Sequence, residues 1–210
     1  MMWFFHIENI AFSCYGYPVS YVEAIATLFG LISVYLASRA HVFTWSTGIV
    51  NEFFLGLVFF QVQLYADVLL QVYFFVVSVY GWCHWNTLKQ HTVKNKMELK
   101  SVFGLLALLA FATAIAGYTV ARLHVLLPDY VYIPAAYPYT DSFIMVASIM
   151  ATLLLAQRRI ENWFLWIAID VVCVMLYYKK EIYFLSLEYL IFLGMATYGY
   201  FHWKTKLTHD

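Results

Sequence analysis

Apolar residues along this chain form seven long stretches separated by short polar breaks. A helix that crosses the hydrocarbon core of a bilayer needs about 20 mostly apolar residues. The stretches lie at residues 21–37, 44–62, 64–85, 101–123, 140–156, 162–178 and 182–203. The pattern therefore predicts an all-α membrane protein with seven core transmembrane helices.

An eighth apolar segment, at residues 1–20, precedes the predicted helices. Glu8, Asn9 and the Gly16-Tyr17-Pro18 sequence interrupt it. Such a segment is typical of an interfacial helix or of a thin extra span, and the pattern leaves both open. No Lys or Arg precedes its apolar run and no clear small-residue cleavage site follows, so a signal peptide is not expected.

The chain also repeats itself without gaps at an offset of 118 positions. The rare residues that correspond include Trp45 and Trp163, Glu52 and Asp170, Tyr80-Gly81 and Tyr198-Gly199, and His84-Trp85 and His202-Trp203. We expect two parallel three-helix repeats, 21–85 and 139–203. Residues 86–138 would supply a basic linker, a linking helix and an outer Pro-rich loop, and 204–210 a tail. In transporters built from such 3+1+3 repeats, the substrate lies near the midplane between the repeats.

Composition places nearly all of the protein in the membrane. The chain is 64% hydrophobic and 11% charged, against about 25% charged in soluble domains. Its net charge is zero and it has no basic stripe, so nucleic acid is not an expected partner. Residues 86–100 carry Lys89, Lys94, Lys96 and Lys100. The positive-inside rule predicts that this linker is cytoplasmic and, with seven spans, that the C-terminus is cytoplasmic too.

The residue types that carry most enzyme chemistry do not cluster in this sequence. Cys14, Cys83 and Cys173 are scattered, and no histidine pair has the spacing of a helical metal site with a third ligand nearby. There is no phosphate-binding loop or nucleophile elbow. We expect no catalytic residues, no metal and no cofactor.

Several polar residues fall inside predicted spans. A carboxylate in hydrocarbon costs roughly 3 kcal/mol on insertion scales, so Glu52, Asp170 and Glu188 are expected to face the bundle interior. Asn51 and Gln71 fit either a substrate pathway or helix–helix hydrogen bonds of about 1 kcal/mol each. For Glu52 and Asp170, which correspond in the two repeats, we expect a pathway role.

One helix face combines aromatic rings with a carboxylate. Trp163, Trp166 and Asp170 are spaced i, i+3, i+7 and so share a face of the predicted sixth helix. Stacked indoles beside a carboxylate suit a flat cationic ring, an interaction of about 1–2 kcal/mol when desolvated. The alternative is that Trp163 is an ordinary interfacial tryptophan at a helix start.

Five sequence motifs together resemble the PnuC-type nicotinamide riboside transporters, and the resemblance extends from Tyr21 to Trp203. The motifs are Phe59-Phe60-Gln61-Val62-Gln63-Leu64-Tyr65-Ala66, Leu69-Leu70-Gln71-Val72, Tyr80-Gly81-Trp82, Glu161-Asn162-Trp163 with Leu165-Trp166, and Ser186-Leu187-Glu188-Tyr189.

The resemblance implies a homotrimer with a SWEET-like fold in the bacterial inner membrane. It implies uptake of nicotinamide riboside by facilitated diffusion, driven by intracellular phosphorylation. The implied binding residues are Trp163, Trp166, Asn51, Gln71, Glu188 and Tyr189, to which the physical argument adds Asp170 and Glu52. The gate candidates are Tyr80, Tyr198 and Trp45.

Other functions stay open at the level of sequence. Thiamine, also a flat cation, fits the same aromatic face, and Asp170 and Glu52 depart from the family pattern. Paired carboxylates could also serve a membrane-embedded enzyme, or couple transport to protons. Passive transport of a vitamin is the function that we expect.

Overall fold

Seven helices form a single bundle in the computed structural model, which describes residues 5–14, 16–87, 93, 97–126 and 134–207. The helices are α1 (Tyr21–Ser38), α2 (Phe43–Gln61), α3 (Tyr65–Thr87), α4 (Leu99–Leu126), α5 (Pro138–Ala156), α6 (Asn162–Lys179) and α7 (Tyr183–Leu207). All seven are long and apolar enough to span a membrane. The predicted fold class is confirmed.

The segment before α1 differs from the expected helix. Strands β1 (Ile10–Cys14) and β2 (Tyr17–Ser20) pair as an antiparallel hairpin. Gly16 takes a φ of 80°, which a turn permits to glycine without strain. Pro18 has no N–H to continue a helix, whereas it is tolerated in an edge strand. Ser20 then caps α1 reciprocally with Glu23, which fixes where the helix begins.

Backbone geometry follows the offset of 118 positions. Apart from glycine, the described residues with positive φ are Ala40 at 55° and Arg158 at 56°, and Gln63 at 62° and Glu181 at 60°. Each pair corresponds under the offset, and each residue lies at the turn that follows a helix of its repeat. The helices α1 to α3 therefore correspond to α5 to α7 in their turns as well as in their bounds.

Contacts between the two sets of helices also come in corresponding pairs. Within each set, neighbouring helices pack on one another, and between the sets α1 packs on α7 while α3 packs on α5. Helix α4 packs on α5, where Gly117 lets the helix approach the ring of Tyr139. Much of the opposite face of α4 is exposed, including Phe103 and Phe111.

Two ends of the bundle can be distinguished. At the tryptophan end, α1, α3, α5 and α7 finish, α2 and α6 begin, and four tryptophans meet. At the acidic end, α1, α3, α5 and α7 begin. Most of the predicted basic linker, most of the Pro-rich loop and the last residues of the tail lie outside the described residues.

Candidate functional site

Four tryptophans interlock at the tryptophan end. Trp45 meets Trp85 edge-on with ring centroids 5.3 Å apart, and Trp163 meets Trp203 edge-on at 5.6 Å. The two pairs join where Trp85 and Trp203 lie 6.2 Å apart. All four side chains are buried. Trp45, for which the sequence predicted a gate role, therefore lies in a packed core, and the gate role stays a prediction.

Two indole hydrogen bonds cross between the repeats. Trp85 Nε1 donates to the carbonyl of Ala156 at 3.0 Å, and Trp203 Nε1 donates to the carbonyl of Ala37 at 3.1 Å. Each bond ties the last helix of one repeat to the end of the first helix of the other. Buried carbonyls at helix ends need such partners because their own helix provides none.

Glycine makes room for the remaining two rings. A Cβ on Gly81 would stand 2.5 Å from the Trp45 ring, and a Cβ on Gly199 would stand 2.7 Å from the Trp163 ring. Trp163 is 1% exposed. The structure thus places Trp163 in helix packing at the end of the bundle, although the sequence predicted it in the wall of a central site.

The residues around Trp163 hold the turn between α5 and α6. Glu161 Oε1 accepts a hydrogen bond from the backbone N–H of Met97 at 2.6 Å, which anchors the start of α4. Asn162 Nδ2 donates to the carbonyl of Arg159 at 2.5 Å. Arg158 lies over the Trp85 ring at 4.5 Å, and burial lowers the pKa of its guanidinium. The Glu161-Asn162-Trp163 motif is therefore explained by packing.

Trp166 has different surroundings. Its ring is half-buried and contacts both the tryptophan cluster and a second core formed by α4, α5 and α6. One turn further along α6, Asp170 is 3% exposed. Among the described residues it has no hydrogen-bond partner. A buried carboxylate without a partner is costly, so the fold retains at Asp170 a group that a ligand can satisfy.

The same face of α6 continues towards the acidic end through Cys173 and Tyr177. Tyr177 stacks on Tyr189 of α7, with centroids 5.4 Å apart and planes 9° from parallel. The Tyr189 side chain lies close to Cys173 and interacts electrostatically with Asp170. Trp166, Asp170, Tyr177 and Tyr189 therefore line one continuous strip, which we call the α6 strip.

Two further candidates are bonded inside the first repeat. Asn51 Nδ2 donates to the carbonyl of Ala26 on α1 at 2.7 Å. Glu52 Oε1 accepts from the Ser78 hydroxyl at 2.6 Å, while its other carboxyl oxygen is buried without a partner. Asn51 thus makes the helix–helix bond considered above. The enzyme hypothesis gains no support, because the bonded partner of Glu52 is Ser78 and not Asp170.

The remaining binding candidates occupy the half of the bundle nearer the acidic end. Gln71 is 9% exposed, and its amide has no hydrogen-bond partner among the described residues. Glu188 lies close to Thr27 of α1 and interacts electrostatically with Glu23. Under the offset Gln71 corresponds to Tyr189, so both repeats place a hydrogen-bonding side chain at this depth.

Tyr80 and Tyr198 lie on the outside of the bundle. They are 50% and 45% exposed and stack on His84 and His202 at 5.6 and 5.7 Å. Neighbouring turns of the same helices are exposed as well, for example at Val76, one turn before Tyr80, and at Phe201, one turn after Tyr198. Both predicted gate residues therefore lie on outward-facing stripes, and their gate role stays a prediction.

Sequence reasoning missed Tyr177, Cys173 and Thr27. Cys173 and Tyr177 follow Asp170 at i+3 and i+7, so extending the face of Trp166 and Asp170 by two turns would have found both. Thr27 could not be found in this way, because its partner Glu188 is on a helix far along the chain. Among the described residues, no group of three or more His, Cys, Asp or Glu could hold a metal ion.

A seven-helix bundle with an internal repeat and a partly unsatisfied polar strip defines the class of multi-pass membrane transporters. Comparison with known proteins identifies the family. The pattern of the family described as "Nicotinamide mononucleotide transporter" matches residues 20–205, and the chain belongs to this family. Its relatives are transporters, not enzymes.

Individual relatives match over nearly full length. The nicotinamide riboside transporter PnuC of Escherichia coli strain K12 is 34% identical, over 95% of this chain and 93% of the relative. The riboflavin/roseoflavin transporter RibM of Streptomyces davaonensis is 24% identical, over 97% and 94%. A crystal structure of the vitamin B3 transporter PnuC superposes with a TM-score of 0.69 at 19% identity, covering 90% of this chain and 83% of that one.

Proposed function

We propose that this protein carries nicotinamide riboside across the bacterial inner membrane by facilitated diffusion, and that intracellular phosphorylation traps the product. The PnuC relative supports the substrate, as does the unpartnered carboxylate of Asp170 beside Trp166. Nicotinamide riboside has a permanently cationic, flat ring and a sugar rich in hydroxyls. The ring suits an indole next to a carboxylate, and the hydroxyls suit the amide of Gln71 and the hydroxyl of Tyr189.

Charge argues against a phosphorylated substrate. In α1, α2, α3 and α5 the chain has no Lys or Arg, and in α6 and α7 these residues occur only in the last turn. A phosphate in the bundle would meet carboxylates without the cationic side chains that usually bind it. The nucleoside is therefore a better fit to this interior than the mononucleotide.

The binding residues that we propose are Trp166, Asp170, Gln71, Glu188 and Tyr189. Asn51, Glu52, Trp45 and Trp163 support the helices around them. We further propose that the tryptophan end, with the basic linker and the C-terminus, faces the cytoplasm and that three copies assemble, with the exposed face of α4 as one surface open to contact. Native mass spectrometry of the detergent-purified protein would show a trimer.

Uptake by proteoliposomes tests the function. Vesicles that contain the purified protein and no ion gradient should equilibrate labelled nicotinamide riboside and should not accumulate it. Flux no greater than that of empty vesicles rejects the proposal, and accumulation driven by a pH gradient rejects its passive mechanism.

The riboflavin carrier RibM supports a second candidate, transport of another ring-bearing vitamin. Riboflavin and thiamine are the natural competitors to include in the same assay. Stronger competition by either one than by unlabelled nicotinamide riboside would reassign the substrate.

A further inference from the structure

Four carboxylates stand at the acidic end in two pairs. Glu23 in the first turn of α1 is near Glu188 of α7, and Asp141 in the first turn of α5 is near Asp67 in the first turn of α3. Glu23 and Asp141 correspond under the offset of 118 positions. Each pair joins one repeat to the other, at the two seams where α1 meets α7 and α3 meets α5.

Three of the four carboxylates lie within reach of one tyrosine. Tyr177 of α6 interacts electrostatically with Asp67, Asp141 and Glu188. On the side of Glu23, the N-terminal hairpin contributes Tyr17, whose hydroxyl donates to Glu23 at 3.0 Å and whose ring stacks on Phe184 at 5.8 Å. Burial and the nearby Glu23 raise the pKa of Tyr17 to about 12, so it remains a hydrogen-bond donor.

No cation of the described chain neutralises these groups. Glu23, Asp67, Asp141 and Glu188 form no ion pair among the described residues. Two basic side chains at this end contact aromatic rings, since Lys180 lies over the ring of Tyr137 at 5.5 Å and Arg122 over the ring of Tyr118 at 4.4 Å. Like charges held together raise the energy of the empty protein, and a passing cation relieves that cost.

The α6 strip connects the four carboxylates at the acidic end with a buried group that a ligand can bind. The α6 strip runs from Tyr177, which interacts with Asp67, Asp141 and Glu188, to the buried Asp170, which has no hydrogen-bond partner among the described residues. The path therefore begins with surplus negative charge and leads to a carboxylate that has no protein partner. A neutral substrate would leave that charge uncompensated along the whole strip, whereas a cation would be attracted at both places.

We propose that Glu23, Asp67, Asp141 and Glu188 form a charge-selecting entrance that draws cationic ring compounds onto the α6 strip and disfavours neutral ones. This inference rests on the proposed function and names the feature of the substrate, its ring charge, that the entrance recognises. The entrance attracts the substrate before it binds, so it should increase the rate of association of a cationic substrate. This increase should fall as salt screens the charges.

The test compares nicotinamide riboside with its dihydro form, which has the same sugar and a neutral ring. Uptake kcat/KM is measured in proteoliposomes for the wild type and for the double variant Asp67→Asn, Asp141→Asn, which removes one pair and spares the helix cap made by Glu23. At low ionic strength the double variant should lose about fivefold or more for the cation and little for the dihydro form, since charge steering supplies 10- to 1000-fold in association rate. In about 0.5 M salt, where the Debye length is only a few ångströms, the difference should shrink.

Glu181→Gln provides the matched control. Glu181 is an exposed carboxylate at the acidic end with a φ of 60°, and its counterpart in the first repeat, Gln63, is already a glutamine at 62°. This variant should leave both substrates unchanged. Equal losses for both substrates in the double variant, or no loss for either, would overturn the entrance.

The same experiment separates the two proposals. If the wild type carries neither form of the nucleoside, the proposed function fails. The comparison then passes to thiamine, a cation, and riboflavin, a neutral ring, with the same double variant. If the wild type prefers thiamine and the double variant loses this preference, the proposed entrance is supported. If the wild type shows no such preference, or the double variant keeps it, the proposal is overturned.

Discussion

At the level of single residues, Trp163 and Trp166 share a helix face but have different surroundings. Trp163 fills the space over Gly199 in the tryptophan cluster, while Trp166 packs against two cores, one turn before Asp170. The depth of each position explains the difference, because Trp163 lies in the first turn of α6 and Trp166 one turn further inside. Their substitutions should therefore have different consequences.

Trp166→Ala should weaken binding of nicotinamide riboside by about 1–2 kcal/mol, the value of a desolvated cation–aromatic contact. Trp163→Ala should mainly destabilise the fold, by about 3–5 kcal/mol, because it empties a packed core. Isothermal titration calorimetry measures the affinity of both purified variants, and thermal melting measures their stability. Loss of affinity in Trp163→Ala at an unchanged melting temperature would contradict this assignment.

The carboxylates that correspond in the two repeats also differ. Asp170→Asn removes the buried carboxyl group that a cationic ligand would meet and should weaken binding of nicotinamide riboside about tenfold, or about 1.4 kcal/mol. Glu52→Gln alters a group already bonded to Ser78, so it should shift the melting temperature and change affinity less than about twofold by the same measure. Titration of both variants with the ligand decides between them, and a larger effect at Glu52 would move the binding site into the first repeat.

At the level of helices, close approach depends on two corresponding glycines. Helix α7 reaches α6 at Gly199, where the ring of Trp163 covers the backbone, and α3 reaches α2 at Gly81 in the same way. Membrane helices associate through small residues of this kind because the hydrophobic effect gives them no drive to pack within lipid. Helix packing here is thus encoded by a large residue on one helix and a glycine on its neighbour.

Gly199→Ala should destabilise the protein by about 1–3 kcal/mol, because the added Cβ has no room against the indole. Gly194→Ala, on the same helix, is the control, since a Cβ there meets nothing within 4 Å. Thermal unfolding in detergent, followed by tryptophan fluorescence, should show a lower melting temperature for the first variant and an equal or higher one for the second. Equal melting temperatures would mean that α7 shifts without cost.

At the level of the whole molecule, the two repeats are joined at both ends but by different chemistry. Indole hydrogen bonds cross between them at the tryptophan end, and two pairs of like charges face each other at the acidic end. The first arrangement fastens the seams and the second tends to separate them. We therefore expect the acidic end to open more readily when no cation is bound.

Trp85→Phe and Trp203→Phe each remove one crossing hydrogen bond and leave a buried carbonyl unpaired, at a cost of about 1–3 kcal/mol. Because both bonds close the same end of the bundle, the double variant should differ from the sum of the single ones by at least about 0.5 kcal/mol. The prediction is checked by measuring the unfolding free energies of the wild type, the two single variants and the double variant in a double-mutant cycle. Strict additivity would indicate that the two seams behave independently.

Much of the architecture follows from the sequence alone. Long apolar stretches specify the seven helices because the bilayer leaves the backbone no alternative within a single segment. The offset of 118 positions shows the repeat, and helical spacing places Trp166 and Asp170 on one face. Each of these features is a pattern along the chain itself, so it can be predicted from one sequence. The N-terminal hairpin was missed because aromatic and apolar composition does not distinguish a short strand from a helix.

Only the tertiary structure decided which polar groups have partners. Ser78 donates to one carboxyl oxygen of Glu52 and the carbonyl of Ala26 accepts from Asn51, and each partner belongs to another helix. Asp170 and Gln71 have no hydrogen-bond partner among the residues that the structure describes. A carboxylate has the same sequence signature whether it is bonded or free, since its partner is set by how helices distant in the chain meet. Whether a buried polar side chain has a hydrogen-bond partner on another helix, more than its residue type, therefore separates the side chains that support the fold from those that we assign to substrate binding.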